Sequence, residues 1–199
     1  MKVAIILFNL GGPDSLDAVE PFLRNLFGDP AILRLPSLIR RPLANFLARR
    51  RAPKARAIYA KIGGSSPIVG QTEAQARALE QALGSDHDWR GYVCMRYWHP
   101  MTEAVVQSVK RFAPDRIVLL PLYPQYSTTT TASSVRAWTE AARFKAPART
   151  IDAYPTEEGF IAASVDLVKQ GLAQVGDKPK RVLFSAHGLP ERVIKAGDP

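Results

Sequence analysis

The pattern of apolar and polar positions predicts strands and helices that alternate along the chain. Val3–Phe8 is a fully apolar run followed by Asn-Leu-Gly-Gly-Pro at positions 9–13, as expected for a buried strand that ends in a tight turn. Apolar residues then recur at helical spacing over Val19–Phe27 and Leu38–Leu47. The sequence therefore predicts two helices after the first strand, and arginines surround the second helix.

The rest of the chain repeats this alternation. Thr72 and Gln75 are spaced as a capping box for a helix that Gly84 would end. Further strands are predicted at Tyr92–Tyr97, Arg116–Leu122, Thr150–Ala153 and Arg181–Ser185, and further helices over Val105–Phe112, after Ser133 and over Phe160–Leu172. Alternating strands and helices favour right-handed βαβ units. We therefore expect an α/β fold with a Rossmann-like parallel sheet flanked by helices.

We expect two domains of unequal completeness. Residues 1–122 form a contiguous βαβ series and are predicted to fold as an N-terminal Rossmann-like domain. Residues 123–199 hold too few strands for a sheet of their own and are interpreted as the truncated start of a second domain. Open parallel sheets bind ligands beyond the carboxyl ends of their strands. This rule points to the loops 9–14, 96–102, 123–134 and 186–191.

The excess positive charge belongs to one segment. The formal net charge is +9, and nine basic residues but no acidic residue lie between positions 30 and 72. The other 18 basic residues are balanced by 18 acidic ones. The apolar helix Leu38–Leu47 stands just before three arginines at positions 49–51, so residues 30–72, here called the lip, combine an apolar face with cations. Such a surface fits an amphiphilic ligand with acidic tails, or a membrane face.

Composition narrows the class of protein further. The single cysteine, Cys94, excludes a disulfide or an iron–sulfur cluster built from this chain and fits a reducing compartment. The apolar N-terminus continues into Gly-Gly-Pro-Asp without a cleavage site, and no run of about eighteen apolar residues is present. We expect a cytoplasmic protein, with peripheral contact to the inner membrane through the basic helix as an open alternative. The dinucleotide-binding fingerprint G-x-G-x-x-G is absent. No nucleic acid partner is expected.

Two loops carry residues suited to ligand binding or chemistry. Six consecutive hydroxyl side chains at positions 126–131 exceed what a helix cap requires and indicate a ligand-lining loop. His187 follows an apolar stretch within Ser-Ala-His-Gly-Leu-Pro, and imidazole is the side chain best suited to accept protons at neutral pH. A structural hydrogen bond is the alternative role for a histidine at this position. No second His or Cys lies near enough in sequence to propose a zinc site.

Six motifs, in order along the chain, resemble the ferrochelatase family. They are N-L-G-G-P-D, R-R-R-A-P-K, Y-A-K-I-G-G-S-S-P, M-R-Y-W-H-P, P-L-Y-P-Q-Y-S-T-T-T-T and F-S-A-H-G-L-P-E, and the resemblance runs from residue 3 to residue 199. It implies a chelatase fold of two Rossmann-like halves. It also implies insertion of Fe²⁺ into protoporphyrin IX, the last step of haem synthesis. Both would be substrates, and no tightly bound cofactor is expected in this chain.

The resemblance also implies a set of site residues. His187 corresponds to the family's central histidine, which is proposed to accept pyrrole protons, to bind the metal, or both. Arg51 would contact a porphyrin propionate, an expectation that the charge of the lip supports independently. Family positions that line or border the cleft fall on Leu10, Tyr59, Ser66, Arg96, Tyr97, Tyr123 and Ser127.

One departure from the family bears on activity. The family chain continues beyond the Gly-Asp-Pro at positions 197–199 and supplies a glutamate opposite the histidine, which has no counterpart here. We therefore interpret the sequence as an N-terminal portion that is inactive alone. Two alternatives stay open: a chelatase for another tetrapyrrole or metal, and a non-catalytic porphyrin-binding or membrane-surface module.

Overall fold

A four-stranded parallel sheet forms the centre of the computed structural model, which describes residues 1–199. Its strands are β1 (Lys2–Asn9), β2 (Asp88–Met95), β3 (Arg116–Pro121) and β4 (Ala148–Thr150), in the order β2-β1-β3-β4. Val3 on β1 pairs with Trp89 on one side and with Arg116 on the other. The predicted parallel α/β architecture is confirmed. Strand β1 is apolar from Val3 to Phe8 because both of its faces are covered.

Helices cover the sheet unequally on its two faces. The helices are α1 (Val19–Gly28), α2 (Ser37–Lys61), α3 (Ile68–Leu83), α4 (Thr102–Phe112), α5 (Thr131–Ala141), α6 (Glu158–Gln174) and α7 (Glu191–Lys195). On one face, α4 and α5 pack against β1, where the rings of Phe8 and Trp138 meet edge to face at 6.0 Å. On the other face, α3 places Ala76 against Ile5 and Leu7.

The helices α1 and α2 pack on each other and support the lip. Small buried side chains at Ala44, Ala48 and Ala52 recur every fourth residue along α2, so the two helices approach closely. The predicted helix Leu38–Leu47 continues to Lys61, although the helix contains two prolines. Proline removes one backbone hydrogen bond from a helix interior. The packing against α1 outweighs this loss, which local sequence preference does not reveal.

The predicted capping box at Thr72 was wrong. The helix begins four residues earlier, at Ile68, and Thr72 is buried within it. The Thr72 hydroxyl donates to the carbonyl of Ile68 at 2.7 Å and accepts from Nδ2 of Asn9 at 3.2 Å. The end of the same helix was predicted correctly, because Gly84 adopts a φ of +76° there.

The C-terminal third departs most from the sequence prediction. The strand predicted near Thr150–Ala153 is β4, which pairs with β3 and extends the first sheet. The segment Arg181–Ser185 is not a strand, and Phe184 within it is 88% exposed. A strand needs a neighbour for its backbone hydrogen bonds, and this segment pairs with none of the four strands, although β2 and β4 are edge strands. The division into domains at residue 122 stays a prediction.

Candidate ligand site at the carboxyl edge of the sheet

The loops that follow the first three strands converge at one edge. Beyond β1 and β2, the N–H groups of Arg96 and Tyr97 donate to the carbonyls of Asn9 and Leu10 at 2.9 and 3.0 Å. Beyond β3, the N–H of Leu122 donates to Phe8 at 2.8 Å. Four of the predicted site residues therefore lie next to one another just beyond the carboxyl ends of β1, β2 and β3: Leu10, Arg96, Tyr97 and Tyr123.

Two glycines after β1 serve different geometric needs. Gly11 has a φ of +83°, a conformation that glycine adopts without strain. The φ of Gly12 is not in this positive range, but a Cβ added at Gly12 would lie 2.5 Å from the Cβ of Ser66. The N–H of Ser66 also donates to the carbonyl of Pro13 at 2.8 Å. The missing side chain at Gly12 thus brings Ser66, a further predicted site residue, against the turn.

A buried carboxylate, Asp29, joins the elements around this edge. Asp29 is 3% exposed and follows directly after α1. Its Oδ2 accepts from the hydroxyl of Tyr97 at 2.8 Å and from that of Ser133, and lies 2.8 Å from Nη2 of Arg96. Its Oδ1 accepts from the N–H of Ala31 at 2.8 Å. One side chain thus connects the start of the lip, the loop after β2 and the first turn of α5.

Two arginines face the Asp29 carboxylate, with Nη2 of Arg96 at 2.8 Å from Oδ2 and Nη2 of Arg136 at 3.4 Å from Oδ1. Burial pushes the pKa of Asp29 upward, but the hydrogen bonds from Ser133 and Ala31 and the charge of Arg96 outweigh it, so the pKa lies below its ordinary 3.8. Burial, with the nearby Asp29 carboxylate, raises the pKa of Tyr97. The result is an ionised Asp29–Arg96 pair beside a neutral phenol, which is the arrangement that stabilises a buried ion pair.

The hydroxyl-rich loop forms the next part of the edge. Burial raises the pKa of Tyr123 to about 12, and its hydroxyl lies 3.3 Å from Oγ of Ser134. Ser127 is buried, and its hydroxyl donates to Oδ1 of Asp198 at 3.2 Å. The N–H of Thr128 donates to the same oxygen. These two hydrogen bonds to Asp198 connect the loop to the last residues of the chain.

Cations and apolar side chains meet in a groove on α2. The groove has a volume of about 630 Å³ and is lined by Leu23, Leu47, Arg50, Arg51, Lys54, Ala55 and Ile58. Glu20 of α1 lies 3.9 Å from both Arg49 and Arg56, whereas the cations of the groove form no ion pair. Their charge is available to an external anion.

Helix α1 connects this groove to the edge of the sheet. The Arg51 guanidinium lies 5.6 Å from the ring centroid of Phe27, a cation–π contact. One half-turn earlier on α1, Asn25 donates through Nδ2 to the carbonyl of Tyr97 at 3.0 Å. Tyr59, also predicted as a site residue, is half-buried further along α2, and burial raises its pKa.

His187 is not brought to these residues. It is exposed, lies between α6 and α7 outside any helix or strand, and has no side-chain hydrogen bond in the structure. Among the other predicted site residues, Arg96 and Tyr97 contact Asp29, Arg51 contacts Phe27 of α1, and Ser127 contacts Asp198. Whether His187 belongs to the same site stays a prediction.

Sequence reasoning missed Asp29, Ser133 and Asp198. Asp29 carried a detectable signal, because it is the last acid before the acid-free lip and precedes Pro30 in a loop. Ser133 was assigned to the loop 123–134 without a role of its own. Asp198 lies 70 residues from Thr128, a contact that only folding creates.

The structure contains no group of three or more His, Cys, Asp or Glu side chains placed to hold a metal ion. Cys94 is buried, and burial raises the pKa of its thiol to about 12. None of the helices combines the length and apolar character needed to cross a bilayer.

The fold is a parallel α/β sheet with a candidate ligand site beyond the carboxyl ends of its strands. The family model described as Ferrochelatase matches residues 2–199. The chain is 51% identical to the ferrochelatase of Caulobacter vibrioides (strain NA1000 / CB15N), with 100% of this chain and 58% of that protein covered. It is 52% identical to the ferrochelatase of Phenylobacterium zucineum (strain HLK1), covering 59% of it. The chain belongs to the ferrochelatase family, and it spans somewhat less than two thirds of the length of these relatives.

Proposed function

We propose that the protein carrying this chain inserts Fe²⁺ into protoporphyrin IX to give protohaem, as a metal chelatase of the lyase class. Membership of the ferrochelatase family supports the reaction. The observation that carries the substrate is the α2 groove, where apolar walls stand beside Arg50, Arg51 and Lys54. Porphyrin is a broad apolar disc with two propionates, so it requires both kinds of surface.

Arg51 is the proposed partner of a propionate. Its planar guanidinium can donate two parallel hydrogen bonds to a carboxylate. It has no ion-pair partner in the structure, and its contact with the Phe27 ring limits its freedom without neutralising it. Leu10, Tyr59, Ser66, Arg96, Tyr97, Tyr123 and Ser127 are the proposed residues that line or border the porphyrin.

Metallation requires that two pyrrole protons leave while Fe²⁺, as substrate, loses its bound water. A neutral imidazole can accept a proton, and its nitrogen can replace water on the metal. We therefore assign to His187 the role of proton acceptor, of iron ligand, or of both. In residues 1–199 its side chain has no partner that orients it, so we propose that the remainder of the protein completes its surroundings.

A second proposal concerns the membrane. Along the first half of α2, Leu38 is 88% exposed and Phe46 is 59% exposed, beside Arg41, which forms no ion pair. An apolar patch flanked by cations fits the surface of an anionic bilayer. We propose a cytoplasmic protein that contacts the inner membrane peripherally through this patch. Sedimentation with anionic liposomes should weaken when Leu38 and Phe46 are both replaced by Ser, and equal sedimentation would contradict the proposal.

Porphyrin titration tests the main proposal. Arg51→Leu should weaken protoporphyrin binding to this chain by roughly 1–3 kcal/mol, the range for losing a charge-assisted hydrogen bond, as measured by the shift of the Soret band. Arg49→Leu is the matched control, because Arg49 lies on the same helix but faces Glu20 at 3.9 Å. The effect of Arg51→Leu should shrink for the porphyrin diester, which has no carboxylates. Equal losses for the acid and the diester would refute a propionate contact.

A further inference from the structure

We propose that Asp29 is a positioning residue of the porphyrin site and acts through Arg96. The inference rests on the proposed function, since it concerns how the same site holds its ligand. Asp29 touches no predicted ligand surface itself, because it is 3% exposed. Arg96 is held by two polar contacts, from Nη2 to Oδ2 of Asp29 at 2.8 Å and from Nε to Oγ of Ser133 at 2.8 Å. Its guanidinium also lies 5.1 Å from the centroid of the Tyr97 ring.

These two contacts leave one end of the guanidinium free. Nη1 of Arg96 makes no hydrogen bond within the chain and is not among its buried unpaired atoms, while the side chain is 19% exposed. Because guanidinium is planar, fixing Nε and Nη2 also fixes the direction of Nη1. Asp29 therefore presents one oriented N–H₂ group of Arg96 at the carboxyl edge, beside Tyr123.

The same carboxylate sets the position of the lip. The N–H of Ala31 donates to Oδ1 of Asp29 at 2.8 Å. The N–H groups of Ile32 and Leu33 donate to the backbone carbonyl of Asp29 at 3.0 and 2.9 Å. The first residues of the lip are thus tied to the carboxylate that holds Arg96. The apolar residues of the lip and the oriented Nη1 group of Arg96 are thereby held in a fixed relative position. An amphiphilic ligand requires an apolar surface and a polar donor placed in this way.

Replacing Asp29 by asparagine removes the charge of the carboxylate and keeps the volume of the side chain. In Asp29→Asn the amide can still bond Ser133, but it cannot pair with Arg96 as an ion. The guanidinium then loses one of the two polar contacts that fix its orientation. We expect protoporphyrin binding to weaken roughly tenfold, about one charge-assisted hydrogen bond. Asp115→Asn is the control, because it makes the same change at the opposite edge of the sheet, where Oδ2 of Asp115 accepts from the N–H of Lys2 at 2.7 Å.

A double-mutant cycle separates positioning from general loss of structure. If Asp29 acts through Arg96, Asp29→Asn should add little in an Arg96→Ala background. If its role is only structural, the tenfold loss should persist there. A loss of equal size in both backgrounds would overturn the proposal, and so would unchanged binding by Asp29→Asn in the wild-type background. Asp115→Asn should leave the binding constant within about twofold, because Asp115 has no contact with Arg96 or the lip.

A readout that needs no porphyrin keeps the inference separate from the proposed function. Nε–H of Arg96 reports the bond to Ser133, so the informative signal is that of Nη2, which lies 2.8 Å from Oδ2 of Asp29. This Nη2 signal should be dispersed and slow to exchange in a ¹⁵N NMR spectrum. It should collapse toward the free-arginine position in Asp29→Asn, and a signal that stays in place would overturn the proposal. If the wild-type chain does not bind protoporphyrin, the proposed function fails, while this spectrum still decides whether Asp29 orients Arg96.

Discussion

Replacing Gly12 by alanine should destabilise the turn that carries the site. The new Cβ would lie 2.5 Å from the Cβ of Ser66, whereas carbon atoms in contact are ordinarily about 3.5–4.0 Å apart. Ser66 cannot easily retreat, because its N–H is bonded to the carbonyl of Pro13 at 2.8 Å. An overlap of about 1 Å between anchored atoms should cost roughly 1–3 kcal/mol. At about 2–4 °C per kcal/mol for a chain of this size, the unfolding midpoint should fall by several degrees.

Thermal unfolding followed by circular dichroism measures this loss, and the chain offers a matched control. Gly70 lies inside α3 with nothing within 4 Å of an added Cβ, so Gly70→Ala should stabilise by about 0.5–1 kcal/mol. In a Ser66→Gly background the clash disappears, because the nearest remaining atom is Cγ2 of Ile68 at 3.5 Å. Gly12→Ala should then be nearly neutral. An equal cost with and without the Ser66 side chain would refute the steric argument.

Four further predictions concern the acid, the thiol, the histidine and residues 1–199 taken alone. Because the pKa of Asp29 is lowered, its contribution to the free energy of unfolding is complete above pH 3.8 and is lost as the pH falls through the lower folded value. Asp29→Asn should therefore reduce the loss of stability at acid pH. An unchanged dependence of stability on pH would contradict this. Cys94, with a pKa of about 12, should react with a thiol reagent only as fast as the chain unfolds, and labelling at the rate of an exposed thiol would contradict its burial. In the full-length protein, His187→Ala should lower kcat for metallation by about a hundredfold or more, whereas wild-type kcat at saturating Fe²⁺ would refute its role. Residues 1–199 alone should turn over at least tenfold more slowly than a full-length ferrochelatase, because a misplaced catalytic group loses about that much or more, and comparable turnover would contradict this.

Local pattern predicted the four strands of the sheet and the edge that carries the candidate site. The apolar run Val3–Phe8 predicted the central strand because a strand covered on both faces needs apolar side chains throughout. Alternation of strands and helices predicted the parallel order, and parallel strands all end at the same edge. Leu10, Arg96 and Tyr123 could therefore be assigned to one edge from the sequence. The acid-free stretch likewise located the lip.

Tertiary structure alone decided which side chains meet. Thr72 looks like a helix cap in sequence, but it is buried inside α3 because its hydroxyl reaches Asn9 of β1. Asp29 and Ser133 are 104 residues apart and share one hydrogen bond, and Asp198 reaches a loop 70 residues away. Periodicity reports which face of an element is apolar and says nothing of such pairs. Their meeting depends on how helices pack over the sheet, and that packing is a property of the whole chain.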